Sequence, residues 1–370
     1  MRVVIVGGGL MGAAAAFFLA RRGIRPTLLE RHRIGQAATN ASFGNIRRQG
    51  RHLAQMPLAH RSRALWGEVA DLLGEDVEFR ATGHVRFAFD ADALADMEAF
   101  ARDAEPLGLT LEICGRNELR SRFPWAGPTA IAASVSPEDG SANPRLVAPA
   151  FARAAARLGA QIVEDMPVAA IAARSAGGLS VETAAGPIEA DLVLNAAGAW
   201  GARLAEGVGE PVPLEANGPQ MGVTEPLPHR ILPVVGLWSR IKAEGVYFRQ
   251  VERGNIVFGG GHREPVALDP GHARVDPANT LNQLPQLERL CPAIARVGII
   301  RTWSGCEGYL RDMLPVMGAS RTTPGLFHAF GFCGHGFQLG PGVGDVMAEL
   351  IATGDTSTPI APFAIDRFAA

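Results

Sequence analysis

The residues best suited to chemistry sit at two glycine-rich junctions. Near the start, VVIVGGGLMGAAAAFFLARRG places Gly7, Gly9 and Gly12 in G-x-G-x-x-G spacing between a β-branched run and an alanine-rich stretch that closes at Gly23. In that order the first glycine permits a tight turn, the second admits a pyrophosphate and the third lets helix and strand pack closely. The helix that opens at Leu10 and Met11 offers unpaired N–H groups and a positive dipole end to phosphate. PTLLE then ends on Glu30, at the distance where a carboxylate accepts hydrogen bonds from ribose hydroxyls. That favours FAD or NAD over NADP, with Arg31 and Arg33 as the residues arguing the other way. Near the C-terminus FHAFGFCGHGFQLGPGVGDVMAELIATG repeats the design, a glycine-rich turn running into an apolar helix.

Other reactive side chains are scattered. The arginines of RRQGR, Arg47, Arg48 and Arg51, lie in a long loop after the second strand, and long loops inside compact domains tend to be functional. Cys114, Cys291, Cys306 and Cys333 are far apart, so neither a disulfide framework nor a metal site is expected, and a reducing cytoplasm fits best. The formal charge of -2 gives no basic field for nucleic acid. Val3 to Ala20 carries no charge, which would suit a leader or membrane span. The interrupting glycines and the strand TLLE that follows favour a nucleotide-binding unit instead.

At 370 residues about two domains are expected. From about Val77 to Pro137 the pattern turns to short strands and the acidic amphipathic helix DADALADMEAFARDAEPLG. A helix from Pro144 to Leu158, a hairpin and the buried strand LVLNAAG return to the nucleotide unit. QMGVTEP, GVYFRQV and NIVFGGG read as strands of a second, mixed sheet.

Five stretches together resemble the D-amino-acid oxidase superfamily of FAD-dependent amine oxidoreductases. They are the fingerprint with Glu30, GQAATNASFGNIRR, LVLNAAGAW, WSGCEGYLRDMLPVMG and GFCGHGFQLGPGVGDVMAELI. Within it the chain is similar to sarcosine oxidase, glycine oxidase and the flavin subunits of opine, proline and D-hydroxyproline dehydrogenases. The resemblance implies an α/β fold, a Rossmann-like FAD-binding domain (1–76, 138–210 and 300–370) interleaved with a mixed-sheet α+β substrate domain (77–137 and 211–299). It places Thr39 and Asn40 near the pyrophosphate, Gly44, Asn45, Ile46 and Arg47 along the flavin, and Val168 at the adenine. Ala197 and Gly198 complete the nucleotide site, and Gly334, His335, Gly336, Phe337 and Gln338 form the flavin-facing turn. Pro341 suits a helix start, so N–H groups of Gly342, Val343 and Gly344 are expected to stabilise charge on the reduced flavin.

The implied reaction is oxidation of a C–N bond in a D-amino acid or a secondary amino acid, by hydride transfer to flavin N5, giving an imine that hydrolyses. A carboxylate substrate needs an arginine. Arg48, Arg51, Arg249 and Arg311 are candidates, with Arg47, Tyr247, Tyr309 and Gln338 completing the substrate side. Three departures from sarcosine oxidase matter. Gln338 stands near the position of a carboxylate-binding Lys. Val257 replaces a Lys near the flavin, favouring a dehydrogenase that passes electrons to a quinone or a partner subunit. Cys306 falls about one position from the flavin-linking Cys, and one residue reverses direction on a strand, so FAD is expected to be non-covalent. The alternatives are a peroxide-producing oxidase of glycine or sarcosine type and a flavin subunit active only in a hetero-oligomer, membrane-associated through its partners. A nicotinamide dehydrogenase leaves the second junction unexplained.

Overall fold

VVIV forms strand β1 (Val3–Val6), and its alternate side chains enter different cores: Val3 and Ile5 face one, Val4 and Val6 the other. A strand covered on both faces reads as a continuous apolar run. The computed structural model describes residues 1–269, 271 and 273–369. In chain order the nucleotide-binding half runs through α1 (Leu10–Arg21), β2 (Thr27–Leu29), α2 (Met56–Gly67), α3 (Pro144–Arg157), β3 (Gln161–Val163), β4 (Leu192–Asn195), β5 (Val316–Ala319), β6 (Leu326–Phe330) and α4 (Gly336–Thr353). Its sheet has the order β5-β6-β4-β1-β2-β3. All neighbours are parallel except β5 with β6.

Because β2 lies on one side of β1 and β4 on the other, their following loops diverge and leave a crevice beyond the carboxyl ends of these strands. Open α/β sheets bind ligands there. The helices α1, α3 and α4 bury one face around Phe17, Phe18, Phe151 and Val343. A three-stranded antiparallel sheet, Val168–Ala173, Leu179–Thr183 and Gly186–Ala190, covers the other.

The second sheet has eight strands and is mixed. It includes His84–Ala88, Ala132–Ser136, Gln220–Pro226, Val246–Gln250 and Asn255–Gly260, around a core containing Phe87, Phe248 and Phe258. Its outer strand, Ile299–Ser304, pairs with Gln220–Thr224, so the boundary expected at residue 300 falls inside a strand of this sheet. Among the described residues no helix is long and apolar enough to cross a membrane. The uncharged N-terminal stretch is β1 followed by α1.

The helix start expected at Pro341 is corrected. α4 begins at Gly336 and carries Pro341 in its interior. A proline there removes the rung to the Phe337 carbonyl, and α2 bonds both ends of the next one. Gly342 N–H donates to Ser62 Oγ (3.0 Å), while Ser62 Oγ (2.6 Å) and Trp66 Nε1 (2.8 Å) donate to the Gln338 carbonyl. Gly344 meets α1 instead: a Cβ there would collide with Ala14. Gly342, Val343 and Gly344 are therefore packing positions, and the free N–H groups of the first turn belong to Gly336, Phe337 and Gln338.

Candidate active site

A cavity of about 560 Å³ opens at the carboxyl ends of β1 and β4 and reaches the second sheet. Both glycine-rich junctions line it, through Gly7, Gly9, Leu10 and Met11 on one side and Gly334, His335, Gly336, Phe337 and Gln338 on the other. Gly7 holds φ +107°, and a Cβ on it would stand 2.5 Å from the Ala196 carbonyl oxygen, so no other residue fits this turn without strain. Gly12 lies behind the wall, where a Cβ would overlap the Gly7 carbonyl; it lets α1 close on β1.

Hydrogen bonds set the nucleotide end. Glu30 Oε2 accepts from Gly8 N–H (2.7 Å) and Oε1 from His32 N–H (2.9 Å), which aims the carboxylate into the cavity. Thr39 Oγ1 accepts from Leu10 N–H (3.0 Å) and fixes the mouth of α1. Val168, Ala197 and Gly198 join Glu30 and Arg31 in the wall. The Arg31 guanidinium lies 3.6 Å from the Trp200 ring centroid, a cation–π contact that occupies the charge which had argued for a 2′-phosphate. Asn40 is exposed and lies outside the wall.

The arginine loop is read by strand alternation. Asn45–Ile46 pairs with Gly140–Ser141, and side chains of a strand point alternately to opposite sides. Phe43, Asn45, Arg47 and Arg51 line the cavity. Ile46 turns into the core, and Gly44 passes so close to Ala142 that a Cβ would strike its carbonyl oxygen. Both were expected along the flavin and lie outside the cavity wall. Arg48 also points away: its Nε donates to Asp139 Oδ1 (2.9 Å), and a second nitrogen pairs with Glu138 (2.8 Å). It is a structural ion pair and not a carboxylate anchor. Arg249 donates from Nε to the Phe43 carbonyl (3.0 Å) and supports the loop from behind. Arg311 is exposed and outside the wall.

Arg47 and Arg51 remain. Arg47 donates to the Gln49 carbonyl (2.5 Å), and Arg51 to the carbonyls of Arg47 (2.7 Å) and His335 (3.2 Å). Neither has a carboxylate partner among the described residues. Burial lowers both below the usual guanidinium range, Arg51 furthest because Arg47 adds like charge. An anion placed between them would relieve both penalties. His335 is held well below the usual imidazole range, first by burial and then by Arg47, Arg51 and Arg263. Its ring is therefore neutral at pH 7.

The second sheet closes the opposite wall with Met221 and Tyr247. Tyr247 stacks edge-on to Phe43 (4.7 Å between centroids), and burial pushes its hydroxyl up to about 12. Tyr309 lies across the cavity and donates to Glu307 Oε2 (2.7 Å). Glu307, Arg263, Met221 and Trp200 also line the wall and are not among the residues expected there. Glu307 and Tyr309 sit two apart in one strand, and Trp200 ends the stretch LVLNAAGAW, so alternation and motif position were the available signals. Arg263 carried none beyond its place after the strand ending at Gly260.

FAD is tested against this cavity by its orphaned polar atoms. Asn45 Oδ1, His335 Nδ1 and Gln338 Oε1 are buried without hydrogen-bond partners, and all three residues line the wall. Buried polar groups are normally satisfied, so a polar ligand along this strip fits. Gln338 Nε2 donates to the Ala59 carbonyl (2.8 Å), which leaves its oxygen as the group turned to the ligand. Cys306 also lines the wall, with its thiol pushed up to about 11 by burial. Val257 packs against the cluster of Phe43, Met221 and Val234 and lies outside the cavity wall. No cluster of three or more metal-ligating side chains occurs among the described residues.

Known proteins bear on this geometry. Over 374 residues the chain is 29% identical to glycine oxidase of Geobacillus kaustophilus (strain HTA426), covering 99% of this chain and 96% of that one. It is 27% identical to one of the subunits of the opine oxidase of Rhizobium meliloti, over 99% of this chain and 97% of that one. The solved structure of L-proline dehydrogenase from P. horikoshii superposes with a TM-score of 0.91 at 28% identity, covering 99% of this chain and 97% of that one. The family described as FAD dependent oxidoreductase (DAO) matches residues 2–350. With that match running over nearly its whole length, and with two glycine-rich helix mouths on one cavity, the chain belongs to that family of FAD-dependent oxidoreductases.

Proposed function

We propose that this enzyme oxidises the C–N bond of a small amino acid, primary or N-substituted, bound as its carboxylate. The observation that carries this reading is the pair Arg47 and Arg51, one half-buried and one buried guanidinium on the cavity wall with no acidic partner among the described residues. A carboxylate gains charge-assisted, two-pronged hydrogen bonds from such groups. The relatives named for glycine, opine and proline oxidation support the substrate class.

Bound FAD supplies the two-electron acceptor for the substrate's hydride. Glu30, Thr39 and the first turn of α1 would hold its nucleotide part, while Asn45, His335 and Gln338 would meet its remaining polar edge. Met221 and Tyr247 of the second sheet, with Phe43 of the arginine loop, exclude water from the substrate, and Arg47 and Arg51 fix its orientation. The resulting imine leaves to hydrolyse in water. The segments 1–76, 138–210 and 300–370 form the cofactor-binding part, and 77–137 with 211–299 the substrate-facing part, adjusted for the strand that begins at Ile299.

The high acidity threshold of the Cys306 thiol favours non-covalent FAD, since the thiolate is the nucleophile. Val257, apolar where a Lys would assist oxygen, favours a dehydrogenase using a quinone or a partner subunit. The experiment is anaerobic absorption spectroscopy with D- and L-amino acids, N-methyl amino acids, prolines and opines. Bleaching by one of them supports the reading, and rapid return of colour in air would make the enzyme an oxidase. A protein that takes up no FAD refutes it.

A further inference from the structure

Among carboxylates on the cavity wall, Glu30 belongs to the nucleotide end, and Asp269 pairs with Arg203 (2.7 Å) beside Trp200. Glu307 is different. It has no ion-pair partner among the described residues, and its two oxygens are held by neutral donors, Tyr309 Oη–H on Oε2 (2.7 Å) and Gly334 N–H on Oε1 (2.8 Å). Each oxygen keeps a free lone pair, and the side chain faces the same cavity as Arg47, Arg51 and Tyr247. Two fixed donors lock its rotamer, so it is a preorganised acceptor rather than a swinging surface acid.

We propose that Glu307 is the specificity-determining residue for the substrate's positively charged nitrogen, pairing with the ammonium while the arginines hold the carboxylate. This rests on the amino-acid reading above and sharpens it: a cavity with cations on one wall and an anchored carboxylate on another fits a zwitterion and discriminates against plain carboxylic and 2-hydroxy acids. The environment agrees. Burial raises the Glu307 carboxyl above its usual range, against the lowering effects of Tyr309, Arg263 and Gly334 N–H, and an incoming ammonium offsets that desolvation cost. Arg263, also on the cavity wall, stacks over the Tyr309 ring at 4.5 Å and makes no ion pair with Glu307.

The test uses the FAD-loaded enzyme and two ligands that cannot be oxidised because they lack an α-hydrogen. These are 2-aminoisobutyrate and its isostere pivalate, in which a methyl replaces the ammonium. Binding is read from the flavin absorption change, and retained flavin bands show that each variant is folded. Wild type should bind 2-aminoisobutyrate at least tenfold more tightly than pivalate, and Glu307→Gln should remove that preference while leaving the affinity for pivalate within about twofold. Tyr309→Phe, which frees one carboxylate lone pair, should keep the preference. Equal affinity of wild type for both ligands, or a preference that survives in Glu307→Gln, would overturn the role of Glu307 and leave the carboxylate anchor standing. Failure of wild type to bind either ligand would overturn the amino-acid reading itself, and this inference with it.

Discussion

At the scale of single residues the site is decided by which way each side chain turns. Arg47 and Arg48 are adjacent, yet one faces the cavity and the other is spent on Asp139 and Glu138. Hydrogen bonds to a charged group are worth about 1.5–3 kcal/mol, so Arg51→Gln should weaken binding of a carboxylate inhibitor such as pivalate by about tenfold to a hundredfold. Arg48→Gln should leave that affinity unchanged and lower stability instead, as a titration of the flavin spectrum and a melting curve on the two variants would show. An equal loss of affinity in both would remove Arg51 from the substrate site. A second expectation concerns Cys306, whose thiol is pushed up to about 11 by burial. Denaturing the yellow protein in acid should release the flavin wholly into the supernatant, and colour retained in the pellet would contradict non-covalent binding. The sequence pointed to Arg47, Arg51, Tyr247 and Tyr309 as residue types near motifs, and all four line one cavity. It did not separate Arg48 and Arg249 from them, because their partners Asp139 and the Phe43 carbonyl are brought close only by folding. Alternation with Tyr309 marked the position of Glu307 but not what fixes it: one of its donors, Gly334 N–H, comes from the distant second junction.

Between elements, the mouth of α4 depends on its contact with α2. Strand and helix patterns were legible: β1, α1 and the helix beginning at Pro144 follow their apolar periodicity and caps, with Asn143 Oδ1 accepting from Arg145 N–H (3.0 Å). The start of α4 was not, since the preference of proline for a first turn points to Pro341, whereas the helix begins five residues earlier at Gly336. The groups next to that proline, Gly342 N–H and the Gln338 carbonyl, are bonded by Ser62, a residue distant in sequence. Ser62→Ala should therefore cost about 1–3 kcal/mol, the penalty for leaving a buried N–H unpaired. Because the carbonyl that Ser62 bonds belongs to Gln338, which lines the cavity wall, the variant should also bind FAD more weakly. Urea denaturation of the apoprotein and an FAD titration measure the two effects. A stability loss with unchanged FAD affinity would mean that the first turn of α4 is set without help from α2.

Across the whole molecule, the chain leaves the nucleotide sheet for the mixed sheet just after the helix Gly201–Glu206, and a buried carboxylate anchors that exit. Glu210 is only 6% exposed. It accepts from Ser320 Oγ (2.8 Å) and from Arg321 N–H (2.5 Å), and Oε2 lies 2.9 Å from His328 Nε2. The Asn195 amide donates to His328 Nδ1 (3.3 Å), which leaves Nε2–H to point at Glu210. One cluster so links β4, β6, the turn after β5 and the exit. Burial alone would raise the Glu210 carboxyl; the bonds from His328, Ser320 and Arg321 N–H outweigh it and hold it down at about 2, against an ordinary 4.5. A carboxyl depressed in the folded state contributes stability that is fully present above its unfolded value and is lost as pH falls through the folded one. The contribution is at most about 3 kcal/mol, present at pH 7 and disappearing between pH 4.5 and about 2. Glu210→Gln should accordingly be less stable than wild type at pH 7 by up to that amount, with the two converging as acid is added. Urea denaturation at pH 7, 4 and 3 resolves this. Parallel pH curves for the two proteins would show that the exit cluster owes its strength to packing around Glu210 and not to its charge.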